Sequence, residues 1–453
     1  MTFMDFRNDI RPLAKSLNQL ISVPTIRDLA KETGFVKRLR KFRPEDFFLL
    51  CTLLDKSVGS ESLSTLCATL STFSFTHLSK QGLDQRFTPN AVSFLKRLFF
   101  SLVAEQEGFT HPLELERLFS RILIKDSTSF QLPGDYSMYP GSHGSGVKIQ
   151  LEYELYKGQL FQTAIDPGTS SDRKSASASE NHLQPGDLCL RDIGYYSAEN
   201  LIGIHQKGAY YLSRIPANTT LWKQDNEGGW IKIEPLEEIK KVPPGEVIEF
   251  PSLRVGKWTK RPLMARVIIQ KLTRDQQKKR DALLQKKGQK GKPTQSAKQR
   301  NSIQILVTNI PQDLMEAQMM YSLYSLRWQI EILFKTWKSL FQIHEIKEMK
   351  QERMECHLYG TLIRIFLSTM LAFQCRYYLY RKERLECSEY KSINIAQEGM
   401  TPLAYSLSYR TKSIMDIVVS IYESIYRNGR KDHRFNHSSV FDILQLSYKQ
   451  TLS

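Results

Sequence analysis

Apolar residues change their spacing near position 120, and few folds accommodate such a change. Before it they recur at helical spacing, whereas β-rich runs separated by Gly, Ser and Pro follow at 121–133, 147–156 and 158–168. A short apolar run then ends at Asp192, a helical pattern follows, and residues 209–215 resume a strand. This order predicts a β-α-β unit within a mixed α/β fold.

The same patterns divide the chain into four parts. Residues 1–115 have the spacing of short helices, with a helix-turn-helix rhythm, and we expect a DNA-binding domain there. Residues 217–300 predict a β-rich insertion that ends in a basic arm. The central domain then combines 116–216 with 301–350, and residues 351–453 predict a helical region for dimerisation or DNA contacts.

Composition indicates the class of partner. The chain has 453 residues with 64 Lys and Arg against 47 Asp and Glu, a net charge of +17, which favours nucleic acid over an acidic small substrate. Six cysteines without C-x-x-C spacing indicate free thiols in a reducing compartment and argue against zinc. The best apolar run, 362–373, contains Arg364 and is too short to cross a membrane, so we expect a soluble, cytoplasmic protein.

Basic residues concentrate in two stretches. Five lie within residues 37–43, and eleven Lys or Arg lie within 271–300 against two aspartates. A solvated linker is one interpretation of the second stretch. An arm that contacts DNA phosphates is the other, and we expect the arm.

Residues 324–341 (YSLRWQIEILFKTWKSLF) have the pattern of one amphipathic helix with an unusual polar edge. At about 100° per residue, a phenol, an acid and three bases fall within roughly 80° of the helix surface; they are Tyr324, Arg327, Glu331, Lys335 and Lys338. An ordinary solvated face with a Glu331/Lys335 pair is the simpler interpretation. A compact group of this kind also fits a functional site.

Two further acids favour the functional interpretation. Asp126 and Asp192 are each predicted at the end of a strand, and Glu331 follows a third strand. Three carboxylates from separate elements can gather Mg²⁺ for phosphodiester chemistry, because that ion prefers hard oxygen ligands. Arg327, Lys335 and Lys338 would then bind DNA phosphates, and Tyr324 could donate to a phosphate oxygen.

Other candidates carry less weight. Asp166 and Asp187 both lie in predicted turns. His143, His182 and His344 are scattered among polar neighbours, which indicates structural roles. The glycine-rich stretch 141–146 lacks the Lys-Ser/Thr ending of a phosphate-binding loop, so ATP use is not expected.

With these residues in place, the sequence resembles the DDE transposases of the insertion sequence four family. Its signature Y-x2-R-x3-E-x6-K matches Tyr324, Arg327, Glu331 and Lys338. The segments IKDST and LRDIGYYS resemble those around the two aspartates of the family, although a small residue often stands where this chain has Arg191. The resemblance extends over about residues 30–350.

The resemblance implies an RNase H-like catalytic core, interrupted by the β-rich insertion and flanked by helical regions. It implies that Asp126, Asp192 and Glu331 are catalytic, binding two Mg²⁺ ions, for which Mn²⁺ can substitute, to cleave insertion-sequence ends and transfer strands. Relatives stack a flipped base on an aromatic ring during hairpin formation, and Trp222, Trp230 and Trp258 are candidates, with the first two preferred.

The implied partners are the terminal inverted repeats and the target DNA, bound by a nucleoid-associated homodimer on paired ends. Two alternatives remain open at this point. One is a DNA-binding protein without catalysis, either a regulator or a domesticated transposase. The other is an RNase H-like nuclease without strand transfer.

Overall fold

A computed structural model describes residues 17–38, 42–106, 118–172, 182–257, 259, 261–287, 299–383, 385–409 and 412–431, together with residues 7, 11, 14 and 15. Trp258 and parts of both basic stretches, 39–41 and 288–298, lie outside the described residues. The architecture is mixed α/β, a large sheet with helices at both ends of the chain, as the sequence predicts.

Short helices form the N-terminal part of the chain: α1 (Val23–Glu32), α2 (Pro44–Thr52), α3 (Leu63–Ser74), α4 (Lys80–Asp84) and α5 (Pro89–Ala104). Their starts follow local chemistry. Pro44 occupies the first turn of α2, and the Ser62 hydroxyl accepts a hydrogen bond from the Thr65 backbone N–H before α3.

Ten strands form one continuous sheet: β1 (Ile122–Gln131), β2 (Gly146–Glu154), β3 (Leu160–Pro167), β4 (Leu188–Arg191), β5 (Tyr210–Ile215), β6 (Leu221–Gln224), β7 (Trp230–Ile233), β8 (Val247–Val255), β9 (Leu263–Lys271) and β10 (Ile303–Thr308). Their order is β3-β2-β1-β4-β5-β10-β9-β8-β6-β7. Strands β1, β4 and β5 are parallel neighbours, and the other pairings are antiparallel.

The β-α-β unit is confirmed, because α6 (Ala198–Gln206) connects the parallel strands β4 and β5. The block after it forms β6 to β9 and the short helix α7 (Pro235–Glu238). Pro251 lies where β8 slips its register against β9, a position that does not require its missing N–H. The basic stretch begins as the helix α8 (Arg274–Lys287).

Six further helices complete the described chain: α9 (Ala317–Ser325), α10 (Trp328–Ser339), α11 (Gln351–Glu383), α12 (Glu389–Glu398), α13 (Met400–Tyr409) and α14 (Ile414–Asn428). The long helix α11 packs against α2 and α5, so the helices of the two chain ends form one body. The Arg364 Nη1 strengthens this contact by donating to the Leu54 carbonyl at 2.9 Å.

Helix α11 extends well beyond the apolar run seen in the sequence. Over Gln351–Tyr380 it is long and apolar enough, by length and composition, to span a membrane. However, 94% of its most apolar stretch is buried inside the fold. Packing against α2 and α5 therefore accounts for its apolar character.

Candidate active site

The two aspartates lie side by side at one end of the parallel strands. Asp192 immediately follows β4, as predicted. The prediction that Asp126 ends its strand is wrong, because β1 continues to Gln131 by pairing with β2. Pairing of β1 with β4 stops at Ile124, so Asp126 lies just beyond the last parallel pair.

The predicted single helix over 324–341 is in fact two helices. Helix α9 ends at Ser325 and α10 begins at Trp328, with Leu326 and Arg327 forming the turn between them. Apolar side chains of both helices and the turn are buried, including Leu326, Ile330 and Trp337. The break places Tyr324 at the end of one helix and Glu331 in the first turn of the next.

Hydrogen bonds join this helical turn to both aspartates. The Tyr324 hydroxyl donates to Asp192 Oδ1 at 3.0 Å. The Arg327 guanidinium donates to Asp126 Oδ2 at 3.3 Å and to Glu331 Oε1 at 2.7 Å. The structure thus brings all three predicted acids to one site, where Tyr324 and Arg327 connect them.

Burial and mutual repulsion perturb this group of charges. Burial, together with Asp192 and Glu331, raises the pKa of Asp126 to about 6 against the opposing effects of the Ser127 backbone N–H and Arg327. Burial also disfavours the charged form of Arg327, yet Tyr324 and its acidic neighbours outweigh this effect and raise its pKa. Additional positive charge would therefore be stabilised beside these acids.

Three carboxylates have the chemistry to bind a divalent ion, but in this structure they are too far apart to share one. Within the described ranges, no three residues among His, Cys, Asp and Glu are close enough together to hold one ion. The Arg327 guanidinium lies between Asp126 and Glu331 and supplies positive charge there. Carboxylate oxygens are ligands that hard divalent cations prefer.

The remaining cations of the helical edge also lie near the site. Lys338 Nζ donates to the Ser129 carbonyl on β1 at 3.2 Å, and burial lowers its pKa. Lys335 is exposed, and its Nζ lies 5.0 Å from the ring centroid of Trp328. Sequence reasoning missed Trp328, which is 49% exposed and directly follows Arg327.

The two tryptophans preferred for base stacking lie far along the sheet from the acids. Trp222 lies on β6 and Trp230 on β7, the two strands of one hairpin. These strands are five and six positions from β4 in the sheet. The Arg254 guanidinium carbon lies 5.7 Å from the Trp230 ring centroid. The structure therefore places both rings on the outer hairpin rather than beside the acids in this chain.

A cationic cavity of about 780 Å³ opens beside Tyr324 and Arg327. Arg214 from β5 and Lys279 and Arg280 from α8 also line it. Burial lowers the pKa of Arg280, and the charge of Arg214, which lines the same cavity, lowers it further. This concentration of positive charge next to the acids suits a phosphate-containing ligand.

The face of the sheet opposite the acids is polar and buried. The sequence pattern did not predict this. Lys125 and Arg191 each precede one of the aspartates, and both are fully buried next to Glu152. Burial opposes the charged form of Glu152, but Arg191, with help from His182 and Lys125, lowers its pKa to about 2. The sequence offered one sign of this polar face, because Arg191 stands where relatives often have a small residue.

Asp172 belongs to the same polar face and was also missed. It accepts hydrogen bonds from the Ser127 hydroxyl at 3.1 Å, from Gln150 Nε2 at 3.0 Å and from Lys148 Nζ at 3.2 Å. Its position within a long polar segment of the sequence gave no sign of this network. Asp172 thus braces the strand segment that follows Asp126.

The weaker candidates have structural partners. Asp187 is buried and pairs with Arg121 at 2.5 Å, and His182 lies 2.9 Å from Glu152. All six cysteines are free, and five of them are buried, as the sequence predicts. Asp166 is half-buried in β3.

Acids from two strands and a helix, surrounded by cations, define a class of enzyme that acts on phosphodiesters. The Transposase DDE domain family matches residues 117–367, which include all three acids. The chain belongs to this family of DDE transposases.

Whole-length relatives agree with the domain match. The chain is 36% identical to "Transposase for insertion sequence element IS231E" of Bacillus thuringiensis subsp. finitimus, over 99% of this chain and 98% of that protein. It is 36% identical to the IS231F transposase of Bacillus thuringiensis subsp. israelensis, over 98% and 97%. It is 30% identical to the IS1151 transposase of Clostridium perfringens, over 96% of each chain.

Proposed function

We propose that this enzyme cleaves DNA at the ends of an insertion sequence and transfers the freed strands to target DNA. We assign it to the insertion sequence four family, with an RNase H-like core formed by 116–216 and 301–350. The strand order β3-β2-β1-β4-β5, with β1, β4 and β5 parallel, supports the core assignment. The Y-x2-R-x3-E-x6-K signature supports the family.

The observation that carries the proposal is the connection of all three acids by one helical turn. Asp126, Asp192 and Glu331 would hold Mg²⁺, for which Mn²⁺ could substitute. The bound ions would activate the attacking water or 3′-hydroxyl and stabilise the leaving oxygen. The family in general uses divalent ions, and the donor set fits them.

The cations around the acids would bind the DNA backbone. Arg327 would exchange its carboxylate partners for a phosphate, because a guanidinium binds phosphate in the same two-pronged manner. Lys335 and Lys338 extend the positive edge along α10, and Tyr324 could donate to a phosphate oxygen near Asp192. Helix α8 would add contacts to the DNA phosphates that do not depend on the base sequence.

Base stacking by Trp222 or Trp230 remains part of the proposal. Their distance from the acids along the sheet means that DNA would have to reach the outer hairpin. We test this role with 2-aminopurine next to the cleavage site, whose fluorescence a stacking indole quenches. Quenching lost in Trp230→Ala or Trp222→Ala supports the role, and unchanged quenching in both contradicts it.

The rest of the chain would assemble the complex. We propose that 1–115 binds the terminal repeats, that 217–300 is an insertion carrying the basic arm, and that 351–453 supports a homodimer on paired ends or contacts DNA. Double-stranded DNA is the partner that the family supports. The protein would act in the cytoplasm, on the nucleoid, without ATP.

The test is cleavage of end DNA by Asp126→Ala, Asp192→Ala and Glu331→Ala, with DNA binding measured in parallel. Each variant should lose cleavage and keep binding, because the acids contribute to the reaction rather than to phosphate contacts. Retained cleavage in any of the three would overturn its assignment. A wild-type protein that binds ends without cleaving them, under Mg²⁺ or Mn²⁺, would favour the non-catalytic alternative.

A further inference from the structure

The residue before each proposed catalytic aspartate points to the opposite face of the sheet, because successive side chains of a strand alternate. These residues are Lys125 and Arg191, and neither has any exposed surface. Two buried cations thus lie directly behind Asp126 and Asp192. Charged side chains are seldom buried in this way unless they are paired, so their partners indicate their role.

The Arg191 guanidinium joins three strands. Its Nη2 donates to Glu152 Oε1 on β2 at 2.6 Å. Its Nη1 lies 3.3 Å from the carbonyl of Leu123 on β1 and 3.3 Å from that of Leu190 on β4. One side chain therefore connects β4, which ends at Arg191, with both strands on the Asp126 side.

Glu152 in turn is fixed from several directions. It lies opposite Lys125 in the register of β1 and β2, and opposite Gln162 in the register of β2 and β3. Lys125 Nζ donates to Gln162 Oε1 at 2.5 Å. The carboxylate that receives Arg191 is consequently part of a row of polar side chains crossing β3, β2, β1 and β4.

The Glu152 end of this connection lies just past the last backbone pairs between β1 and β4. Register pairs between β1 and β4 run only from Ile122 and Leu188 to Ile124 and Leu190. On the face of the sheet opposite the aspartates, the Arg191 side chain continues from β4 past these pairs to Glu152, which lies opposite Lys125, the neighbour of Asp126. A change in this link would move Asp192 relative to Asp126.

We propose that Arg191 is a positioning residue, which uses its contacts with Glu152 and Leu123 to fix the separation of Asp126 and Asp192 for divalent-ion binding. The inference rests on the proposed function, in which those aspartates bind the ion. Groups that orient metal ligands from behind typically contribute about 10- to 100-fold to metal affinity. A residue that only stabilises the fold would leave the affinity of the folded protein unchanged.

The chain offers a matched control at the opposite end of the same two strands. Arg121 precedes β1 and pairs with the buried Asp187, which precedes β4, at 2.5 Å. Arg121→Lys therefore makes the same chemical change in a buried ion pair between the same strands, but away from the aspartates. Arg191→Lys keeps the charge opposite Glu152 and loses the forked contact geometry.

The experiment measures Mn²⁺ binding to the full-length protein by electron paramagnetic resonance, with unfolding followed in parallel. Arg191→Lys should weaken Mn²⁺ binding about tenfold or more, whereas Arg121→Lys should stay within about twofold of wild type. Equal Mn²⁺ affinity in Arg191→Lys and wild type would overturn the positioning role. Equal weakening in both variants would overturn it too, because position on the strands would then be irrelevant.

A second variant covers the case in which Arg191→Lys does not fold. The double change Glu152→Gln and Arg191→Met removes both charges of the pair, a replacement that folds tolerate better than an unpaired buried charge. It should weaken Mn²⁺ binding as Arg191→Lys does, and wild-type affinity in it would overturn the proposal. Glu331→Ala distinguishes failure of the positioning role from failure of the proposed function. Wild-type Mn²⁺ affinity in that variant would overturn the proposed ligand set itself.

Discussion

Arg327 and Asp126 are 201 positions apart in the chain, yet only 3.3 Å separates Nη1 of the first from Oδ2 of the second. The same guanidinium reaches Glu331, one turn further along. Arg327 thus holds the helical turn against β1 and balances two acids at once. In the proposed reaction, the divalent ion would take over the carboxylates and leave the guanidinium for a phosphate.

We expect Arg327→Ala and Lys338→Ala to slow strand cleavage much more than they weaken DNA binding. Loss of one charge-assisted contact aligned with the reacting strand costs about 2 to 4 kcal/mol in the transition state, a rate loss of roughly 30- to 900-fold. Single-turnover cleavage on pre-assembled complexes measures this loss. Lys207→Ala, an exposed change after α6, is the control, and near-native rates in both test variants would mean that the edge is an ordinary solvated helix face.

Tyr324→Phe tests the hydrogen bond to Asp192. The change removes one hydroxyl from a buried ring, and cleavage should fall roughly 10- to 150-fold because a hydrogen bond to a charged group contributes roughly 1.5–3 kcal/mol. Tyr321→Phe is the matched control, since that hydroxyl lies one turn earlier on α9 and donates to the Gln304 carbonyl at 2.8 Å. Equal rates in the two variants would show that the phenol does not orient Asp192.

The exposed cations of α8 should contribute affinity without specificity. Replacing Arg274, Lys278 and Lys279 by Gln should make the negative slope of log K against log salt shallower by about 2.7, if all three reach phosphates. Point changes are preferable to deleting the arm, because Arg280 Nη1 donates to the Ile303 carbonyl and belongs to the fold. An unchanged slope would identify this segment as a solvated linker.

His357 should make stability depend on pH. Burial lowers its pKa from 6.5 to about 4, so the unfolded chain binds a proton that the folded protein excludes. This contribution is complete above about pH 6.5 and is lost as the pH falls towards 4, a change of about 3 kcal/mol. Urea unfolding of wild type and His357→Gln at several pH values measures it, and parallel pH profiles would contradict the prediction.

The sequence predicted the sheet strands, because the two-residue period depends on local pattern. It also singled out three acids that the structure brings to one site, although β1 continues past Asp126. It predicted the helix over 324–341 as continuous, since nothing local marks the break at Arg327. At the break, Tyr324 and Arg327 contact Asp192 and Asp126, which are remote in the chain. Tyr324, Arg327 and Glu331 nevertheless lie together at the site, because the break spans only Leu326 and Arg327.

In β2, by contrast, the residue pattern did not indicate how the polar face is used. Lys148, Gln150 and Glu152 alternate with apolar residues, a pattern typical of a sheet with one solvated face. The structure buries Gln150 and Glu152 against Arg191, Tyr195 and their neighbours instead. A pattern of residue types cannot distinguish a solvated polar face from a buried, ion-paired one, because the distinction depends on what covers the face.

The most direct test of the account uses end DNA with sulfur in place of a non-bridging oxygen at the scissile phosphate. If ions held by Asp126, Asp192 and Glu331 contact that phosphate, cleavage in Mg²⁺ should fall by about tenfold or more, because Mg²⁺ binds sulfur poorly, and Mn²⁺ should restore it. Glu331→Ala should show no restored cleavage. Equal cleavage of the oxygen and sulfur substrates in Mg²⁺, or cleavage without any divalent ion, would contradict the account.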